Sequence, residues 1–465
     1  MLNNKRLKFN KSEKIYKKAI KIIPYGSQTY SKGIKAFSDG ASPKFLAKGK
    51  GCEVWDVDNN KYIDYVMACQ PLILGYADTD VNKAVKKQLE LGSTFSISNE
   101  LELEVSELMI KHIPGAEAVR FGKNGADATS IAVRMSRAIT KRDHIAFCGY
   151  HGWHDWFVGT TDLNAGIPKF NEELAHSFSY NDINSLEKVF KKYKNQIACV
   201  IMEPITVAGP KSYPFGSTKW KDFNSKKNFL TDVKELCKKN GSLLVFDEVV
   251  TGFRYDMGGA QKMFDIIPDL SCFAKAMSNG IPVSAITGKK EYMKFLETTF
   301  FSFTYGGDCV GLAAAKACIN KLEKENVISH LYKVGKKLKS GINNLSRLYS
   351  LDEFIECSGY PCRTVLTIKN YKKYNKPLVV KSYIQQELMK RGVLWSQYHS
   401  ISYSHKNRHI QNSLNAFEEV FKKLKTIVKN KKNIENFLIG KPCQTVFTRV
   451  ADFQSVATSQ NIKKR

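Results

Sequence analysis

Long apolar runs are missing from this chain. No stretch of 18 apolar residues occurs among its 465, which leaves no candidate for a membrane-spanning helix. The opening segment MLNNKRLKFNKSEK has no apolar core of the kind an export signal needs, so neither export nor membrane insertion is expected. Cysteine occurs eleven times but never as a Cys-x-x-Cys pair. Scattered thiols in a chain of this length predict a reduced, cytoplasmic protein. Repeats and low-complexity linkers are absent too. Acidic residues are scarce beside basic ones, 44 against 72, for a net charge of +28. The basic residues cluster at Lys5–Lys11, Lys191–Lys194, Lys336–Lys339 and Lys422–Lys432, mostly on amphipathic patterns. A nucleic-acid surface calls for aromatics between the basic residues or a recognisable binding module. Neither is present, so the clusters read as solvated faces and no nucleic-acid partner is expected.

An apolar content of 43% and a charged content of 25% are those of a globular protein long enough for two domains. The most telling stretch is Ser242–Gly252, SLLVFDEVVTG. Its unbroken apolar run predicts a buried central strand, and it ends in two carboxylates, Asp247 and Glu248. In an open α/β sheet, ligands sit beyond the carboxyl ends of the strands, so an acid there points at whatever is bound; the alternative is a cap on the next turn. Lys275 follows 28 residues later, after a second short apolar run and before a Ser-Asn-Gly turn. An amine in an apolar pocket has a lowered pKa and attacks carbonyls. A lysine to hold an aldehyde and an aspartate to keep a pyridine nitrogen protonated are the two groups a pyridoxal phosphate site requires.

Other segments add to this pair. Val119–Phe121 reads as a strand, GKNGAD (122–127) as a glycine turn and Ala126–Thr140 as a helix. Backbone N–H groups at such a helix start suit an anion, although the turn is neither a Walker loop nor GxGxxG. Ile145–Cys148 predicts a strand leading into GYHGWHDW, where Tyr150 could stack on a flat ring or pack in the core. His151, His154 and Asp155 form an HxxHD group without further ligands of clear spacing, and no metal is expected. Ala198–Met202 is another apolar run, ending in Glu203. Thr304 precedes paired glycines and suits either a phosphate contact or a β-turn. Ser12–Ile23 predicts a helix with Ser12 as N-cap, and YGSQTYSKG (25–33) a loop that either reaches a site or merely connects. Glu53–Tyr65 predicts a β-hairpin, and Val310–Leu348 one or two long helices. Arg363–Ile368 reads as a strand, Ser382–Arg391 as a helix stopped by Gly392, and the segment through Leu414, Phe417, Phe421, Leu424 and Val428 as an amphipathic helix. That alternation predicts a separate α+β lobe, followed by a basic arm beyond Lys432.

The ordered set KNGADAT (123–129), YHG (150–152), EP (203–204), FDEVVTGFR (246–254), AKAMSNG (274–280) and FTYGGD (303–308) resembles the class III aminotransferases. The resemblance runs from about Ser12 to about Phe447, and the opening helix, the PYGSQ loop and the GCEVWDVDNNKYIDY hairpin are similar to the glutamate-1-semialdehyde aminomutase branch. It implies the α/β fold type I of pyridoxal-phosphate enzymes: a large domain on a mostly parallel seven-stranded sheet, plus a smaller α+β domain from both terminal segments. The implied division is 1–65 and 326–465 for the small domain and 66–325 for the cofactor-binding one. It implies pyridoxal phosphate joined to Lys275, with Asp247 on the pyridine nitrogen, Tyr150 and Val249 on the two ring faces, and His151 beside them. Asn124, Gly125 and Ala126 would hold the phosphate, and Thr304 would reach the phosphate of a neighbouring subunit, which makes a homodimer the expected assembly. Lys32, Trp55 and Glu203, with Tyr30 and the Trp395–Tyr403 segment, are candidates for lining the substrate pocket; a purely structural role is the alternative for each.

The chain departs from the family at two places. Asn124-Gly125-Ala126-Asp127 stands where the family has Ser-Gly-Ser/Thr-Glu, so a phosphate hydroxyl is missing unless Thr129 or Asn124 replaces it. Lys32 stands where the aminomutase has an arginine, and a lysine lacks the bidentate fork for a carboxylate. The expected activity is therefore transamination, from a small-molecule donor such as glutamate to a keto or aldehyde acceptor. The alternatives are the aminomutase reaction giving 5-aminolevulinate and a non-catalytic basic scaffold.

Overall fold

The computed structural model describes residues 7–212, 226–370 and 376–445. Lys5, where the first basic cluster begins, and Phe447, where the family resemblance ends, lie outside the described residues. The chain opens with a helix, Asn10–Ile22, and then a hairpin whose strands are β1 (Leu46–Lys50), β2 (Glu53–Asp56) and β3 (Lys61–Asp64). Ser12 does not cap that helix. The carboxylate of Asp58, from the hairpin turn, accepts the N–H groups of Lys11 and Ser12 at 2.7 and 2.8 Å, while the buried Ser12 hydroxyl accepts the N–H of Lys44. A cap supplied from a distant turn leaves no signature next to the helix it serves.

The central sheet comprises β4 (Ala118–Gly122), β5 (His144–Cys148), β6 (Ala175–Ser177), β7 (Ile197–Met202), β8 (Leu243–Asp247), β9 (Leu270–Phe273) and β10 (Ser284–Gly288). Its spatial order is β4-β10-β9-β8-β7-β5-β6. Only β10 runs against the others, pairing antiparallel with both β4 and β9. The remaining six carboxyl ends therefore lie along one edge. In β8, Leu243 and Val245 enter the core on one face of the sheet and Leu244 and Phe246 the core on the other. All five residues of β8 are buried. Each large apolar side chain so buried contributes roughly 1.5–3 kcal/mol. This layering fixes which residue arrives at the strand end. The reading from sequence missed β6 and β10, both short and flanked by polar turns.

The C-terminal part contains β11 (Ile355–Tyr360), β12 (Arg363–Ile368), β13 (Val393–Leu394) and β14 (Tyr398–Ser400). β13 pairs in parallel with β3, so one four-stranded sheet is shared between the first 64 residues and the C-terminal region. β11, β12 and β14 form a second small sheet, and Ser400 N–H of β14 donates to Tyr65 O at 3.0 Å. The helices here are Cys309–Lys324, Val327–Leu348, Pro377–Met389 and Asn407–Lys429. The helix expected from Ser382 begins five residues earlier, because Pro377 occupies the first turn, where its missing N–H costs nothing. The arm after Lys432 has a short turn at Ile434–Phe437, and Cys443 is buried on Ser382. No helix among the described residues is long and apolar enough to cross a membrane.

Seven of the nine histidines have pKa values lowered by burial. His399 and His405 are held at about 3, and His176 at about 4. Such imidazoles are neutral in the fold and charge on unfolding, so their stability is complete above the ordinary value of about 6.5 and is lost as pH falls below it. Asp64 and Glu248, raised by burial to about 6 and about 7, have the opposite sign, since what they contribute below pH 4 is lost as pH rises through those values. Asp269, also raised by burial, shares their sign, and seven imidazoles outweigh three carboxyls. The expected outcome is a Tm that falls steadily between pH 6.5 and pH 4.5; a flat Tm over that window, read by calorimetry, contradicts these assignments.

Candidate active site

Asp247 ends β8 with its side chain buried, and one oxygen lies 2.8 Å from His151 Nδ1. The other accepts the N–H of Val249 at 3.1 Å. Asp247 pairs in register with Cys272 of the neighbouring β9, three residues before Lys275. Lys275 opens a tight turn, Lys275–Ser278, with φ at +49°, a left-handed conformation that costs a non-glycine residue of order 1–3 kcal/mol. Burial lowers the Lys275 pKa; Asp247 and then Glu203 oppose this, and Arg363 adds to it. An amine held towards its neutral form beside a fixed carboxylate is the result.

The glycine turn after β4 stands against this pair. The helix runs Gly125–Thr140, and its first N–H groups, those of Gly125 and Ala126, have no partner inside the helix. Asp127 takes the two preceding N–H groups instead, accepting from Lys123 and Asn124 at 2.9 and 2.7 Å. A Cβ on Gly125 would lie 3.0 Å from both methyls of Val249, and one on Gly152, itself at φ +106°, would lie 2.6 Å from Ala126 Cβ. Gly125, Ala126, Gly152 and Val249 therefore meet, with Asp247 and His151 adjoining. The Thr129 hydroxyl is not turned outwards to replace the missing serine. It is buried and donates to the carbonyl of His151 at 2.7 Å, locking the Tyr-His-Gly turn onto the helix. Asn124 is exposed at the helix start.

Tyr150 follows β5, is 42% exposed, and donates its N–H to Glu203 Oε1 at 2.7 Å. Glu203 follows β7 and is half-buried. The HxxHD residues separate. His151 faces Asp247, whereas His154 lies 2.6 Å from Ser130 Oγ and Asp155 opens a short helix. Among the described residues no three His, Cys, Asp or Glu side chains group as metal ligands.

Other sequence candidates lie apart from this cluster. Thr304 is exposed in the 303–306 turn. Lys32 is exposed in the Tyr30–Lys32 turn; both it and Lys275 lower the pKa of the Cys69 thiol against the larger effect of burial. Trp55 lies on β2 with the ammonium groups of Lys48 and Lys61 over its ring at 5.0 and 5.2 Å. Tyr30 packs edge-on to Tyr25, and Trp395 is buried against His399 and Phe417.

Two arginines and a glutamate carry more than the sequence revealed. Glu248, wholly buried, accepts the N–H groups of Ala260 and Gln261 at 2.8 and 2.9 Å as well as the Thr251 hydroxyl; it caps the Gly259–Phe264 helix. Arg254, also wholly buried, donates to the carbonyls of Gln70 and Ile401, each at 2.8 Å. Gln70 ends a run of four left-handed residues, Met67–Gln70, whose start is capped by Asp64. Arg363, at the start of β12, donates to Thr206 O at 3.0 Å in the loop after Glu203. An arginine opening a mostly apolar strand was the available signal.

Comparison with known proteins follows the same outline. The family model for aminotransferase class-III matches residues 36–421. The 3-aminobutyryl-CoA aminotransferase of Cloacimonas acidaminovorans (strain Evry) is 32% identical over 432 residues, covering 91% of this chain and 99% of that protein. The glutamate-1-semialdehyde 2,1-aminomutase of Sulfurihydrogenibium sp. (strain YO3AOP1) is 34% identical over 436 residues, covering 89% of this chain and 99% of that one. Among solved structures, the FumI protein of Sphingopyxis sp. MTA144 superposes with a TM-score of 0.80 at 25% identity, covering 93% and 99% of the two chains.

The lock between helix and turn is testable on its own. Thr129→Val keeps the shape and removes the donor, leaving the buried carbonyl of His151 unsatisfied, which costs about 1–3 kcal/mol. Urea denaturation is expected to show that loss with an unchanged m-value. A stability equal to that of the parent chain would show that the bond contributes nothing.

Proposed function

The chain belongs to the class III aminotransferases, and from that premise we propose that it transfers an amino group from a small-molecule donor, glutamate being the leading one, to a keto or aldehyde acceptor. The fold is fold type I, and the family's cofactor is pyridoxal phosphate. The observation that carries the proposal is the juxtaposition at the strand ends: Lys275 and Asp247 on neighbouring strands, beside a helix start whose space a single Cβ on Gly125 would fill.

The residues fit the cofactor in chemistry as well as position. When bound, pyridoxal phosphate supplies an aldehyde that takes up amino nitrogen and a cationic ring that withdraws electrons from the carbon bearing it. The Lys275 amine, its pKa lowered by burial, would be the covalent anchor for that aldehyde and the base at that carbon. Asp247, oriented by Val249 N–H and by His151, would keep the pyridine nitrogen of the cofactor protonated. The N–H groups of Gly125 and Ala126, at the positive end of a 16-residue helix, receive the phosphate. Val249 and Tyr150 would hold the two faces of the ring.

Thr304 is assigned to the phosphate of a second subunit, which makes the working unit a homodimer. Its exposed turn carries uncovered apolar side chains, with Phe300 and Tyr305 at 78% and 60% exposure. We assign the enzyme to the cytoplasm, in keeping with eleven free thiols. The intramolecular aminomutase reaction is the second reading, favoured by the relatives of that name. Lys32 in the first loop stands against it, because one ammonium does not reproduce a guanidinium fork.

The test is a half-reaction screen. Enzyme loaded with pyridoxal phosphate is mixed with single amino acids and amines, and the cofactor absorbance is followed. Loss of the starting absorbance with an amino acid, restored by a keto acid, is expected. Turnover of the semialdehyde alone, with no keto acid consumed, would replace transaminase by mutase. Lys275→Ala is expected to lower turnover at least about 1,000-fold, since both anchor and base are removed; near-normal turnover by this variant would refute the assignment.

A further inference from the structure

The segment that carries Thr304 is fastened at both ends to one unit of the fold, β4 and the helix that follows it. At its start, Arg120 Nη2 donates to Phe301 O at 3.3 Å and Arg134 Nη1 to Phe300 O at 2.8 Å. At its end, Lys123 Nζ lies 2.6 Å from Asp308 Oδ2 and donates to Pro282 O at 2.8 Å. The same Asp308 oxygen accepts the N–H of Gly311 and so caps the helix Cys309–Lys324. Between these anchors Ser302, Phe303, Thr304 and Tyr305 are all exposed.

Lys123 stands two residues before Gly125, where the anion-receiving helix starts. A lysine in that place is the residue type expected to reach a phosphate. Its ammonium is instead taken up by Asp308 and Pro282 O. The Lys123 and Asp308 side chains are 21% and 16% exposed, so water and salt screen their attraction less than that of a pair on the open surface. The Lys123 N–H is itself held by Asp127, as is that of Asn124. One residue thus joins the helix start through its backbone and the Thr304 turn through its side chain. A turn with an exposed tip is not aimed by a core of its own; its direction is set where its ends are fixed. On the Asp308 side, the fastening to the helix start is the Lys123 ion pair.

We propose that Lys123 is a positioning residue that, through Asp308, sets the Thr304 turn of one subunit for the cofactor phosphate of the other, and that it is not a phosphate ligand of its own subunit. The cofactor at one Lys275 is then retained partly by an ion pair in the opposite chain. That Thr304 meets the phosphate of a second subunit rests on the function proposed above; that Lys123 fixes the turn does not.

Mixed dimers of two differently tagged chains test it. One chain carries Lys275→Ala, so cofactor can be fixed only at the Lys275 of the other. Asp308→Asn, which keeps a capping side chain and removes the charge, is placed on either chain. Pyridoxal phosphate is titrated in, reduced with borohydride, and the label on Lys275 is counted by mass spectrometry. On the opposite chain, Asp308→Asn is expected to raise the apparent Kd at least about fivefold, and on the same chain less than about twofold, within what a hydrogen bond to a charged group contributes. The reverse pattern would make the pair part of its own subunit's phosphate site, and no change in either dimer would make it a plain surface contact; both overturn the proposal. In homodimers, Lys123→Met, Asp308→Asn and the double variant should share one rise in Kd, because each removes the same contact. Rises that add would show that the two residues act separately, against the proposal. A parent protein that sediments as a monomer overturns the role in a second subunit together with the dimer itself. Chymotrypsin then decides separately whether the pair fixes the turn: cleavage after Phe303 and Tyr305 is expected at least about threefold faster in Asp308→Asn, and an equal rate would show that it does not.

Discussion

The attraction between the Asp247 carboxylate and the Lys275 ammonium, across two neighbouring strands, is what the rest of this molecule is arranged to control. Left in water the two groups would interact weakly, with the lysine fully charged. Fixed at the end of β8 and just beyond β9, they act on each other in a medium where burial works against charge and each carboxylate works for it. Their separation is set by sheet register, and the register by apolar residues that alternate between the cores on the two faces of β8. A slip of one residue would turn Asp247 to the opposite face. Fold and chemistry are joined at that point: misplacing one strand separates the carboxylate from the amine it acts on.

A second constraint holds the terminal regions against the sheet. Arg254, buried without a carboxylate partner, satisfies the carbonyls of Gln70 and Ile401, one before the central sheet in the chain and one after it. Three backbone features meet around it: the left-handed run Met67–Gln70, the β14 end and the loop after β8. Four consecutive left-handed residues persist only where neighbours over-determine them. Here Asp64 caps the start of the run and Arg254 holds its end. Cys69, within the run, feels both Lys32 and Lys275. The strained segment is tied through Arg254 and Ile401 to the C-terminal strands.

What could be read from sequence was whatever is written locally. The runs ending at Asp247, Glu203 and Cys148 announce buried strands through composition alone, and GKNGAD announces the turn into a helix. The ordered motifs then led to the family, which the match over residues 36–421 bears out. What could not be read depends on distant partners. Asp58 caps a helix 47 residues away, a role invisible beside Ser12. Glu248 looked like a second site carboxylate, but two N–H groups more than ten residues later claim it. Thr129 looked free to meet a phosphate, and it is spent on the His151 carbonyl. Arg363 looked like the first residue of a strand, and only the crossing of β12 to the Thr206 loop shows where its charge goes. In each case a polar side chain was assigned by its neighbours in sequence and used by its neighbours in space.

The central claim is that Lys275, among the 72 basic residues of the chain, is the one amine matched to a carbonyl. It is tested most directly by adding pyridoxal phosphate, reducing with borohydride and locating the fixed label by peptide mass spectrometry. A single stoichiometric label on Lys275, absent from the Asp247→Ala protein at the same cofactor concentration, is the expected result. Label spread over surface lysines, with Lys275 unmodified, would contradict the whole arrangement.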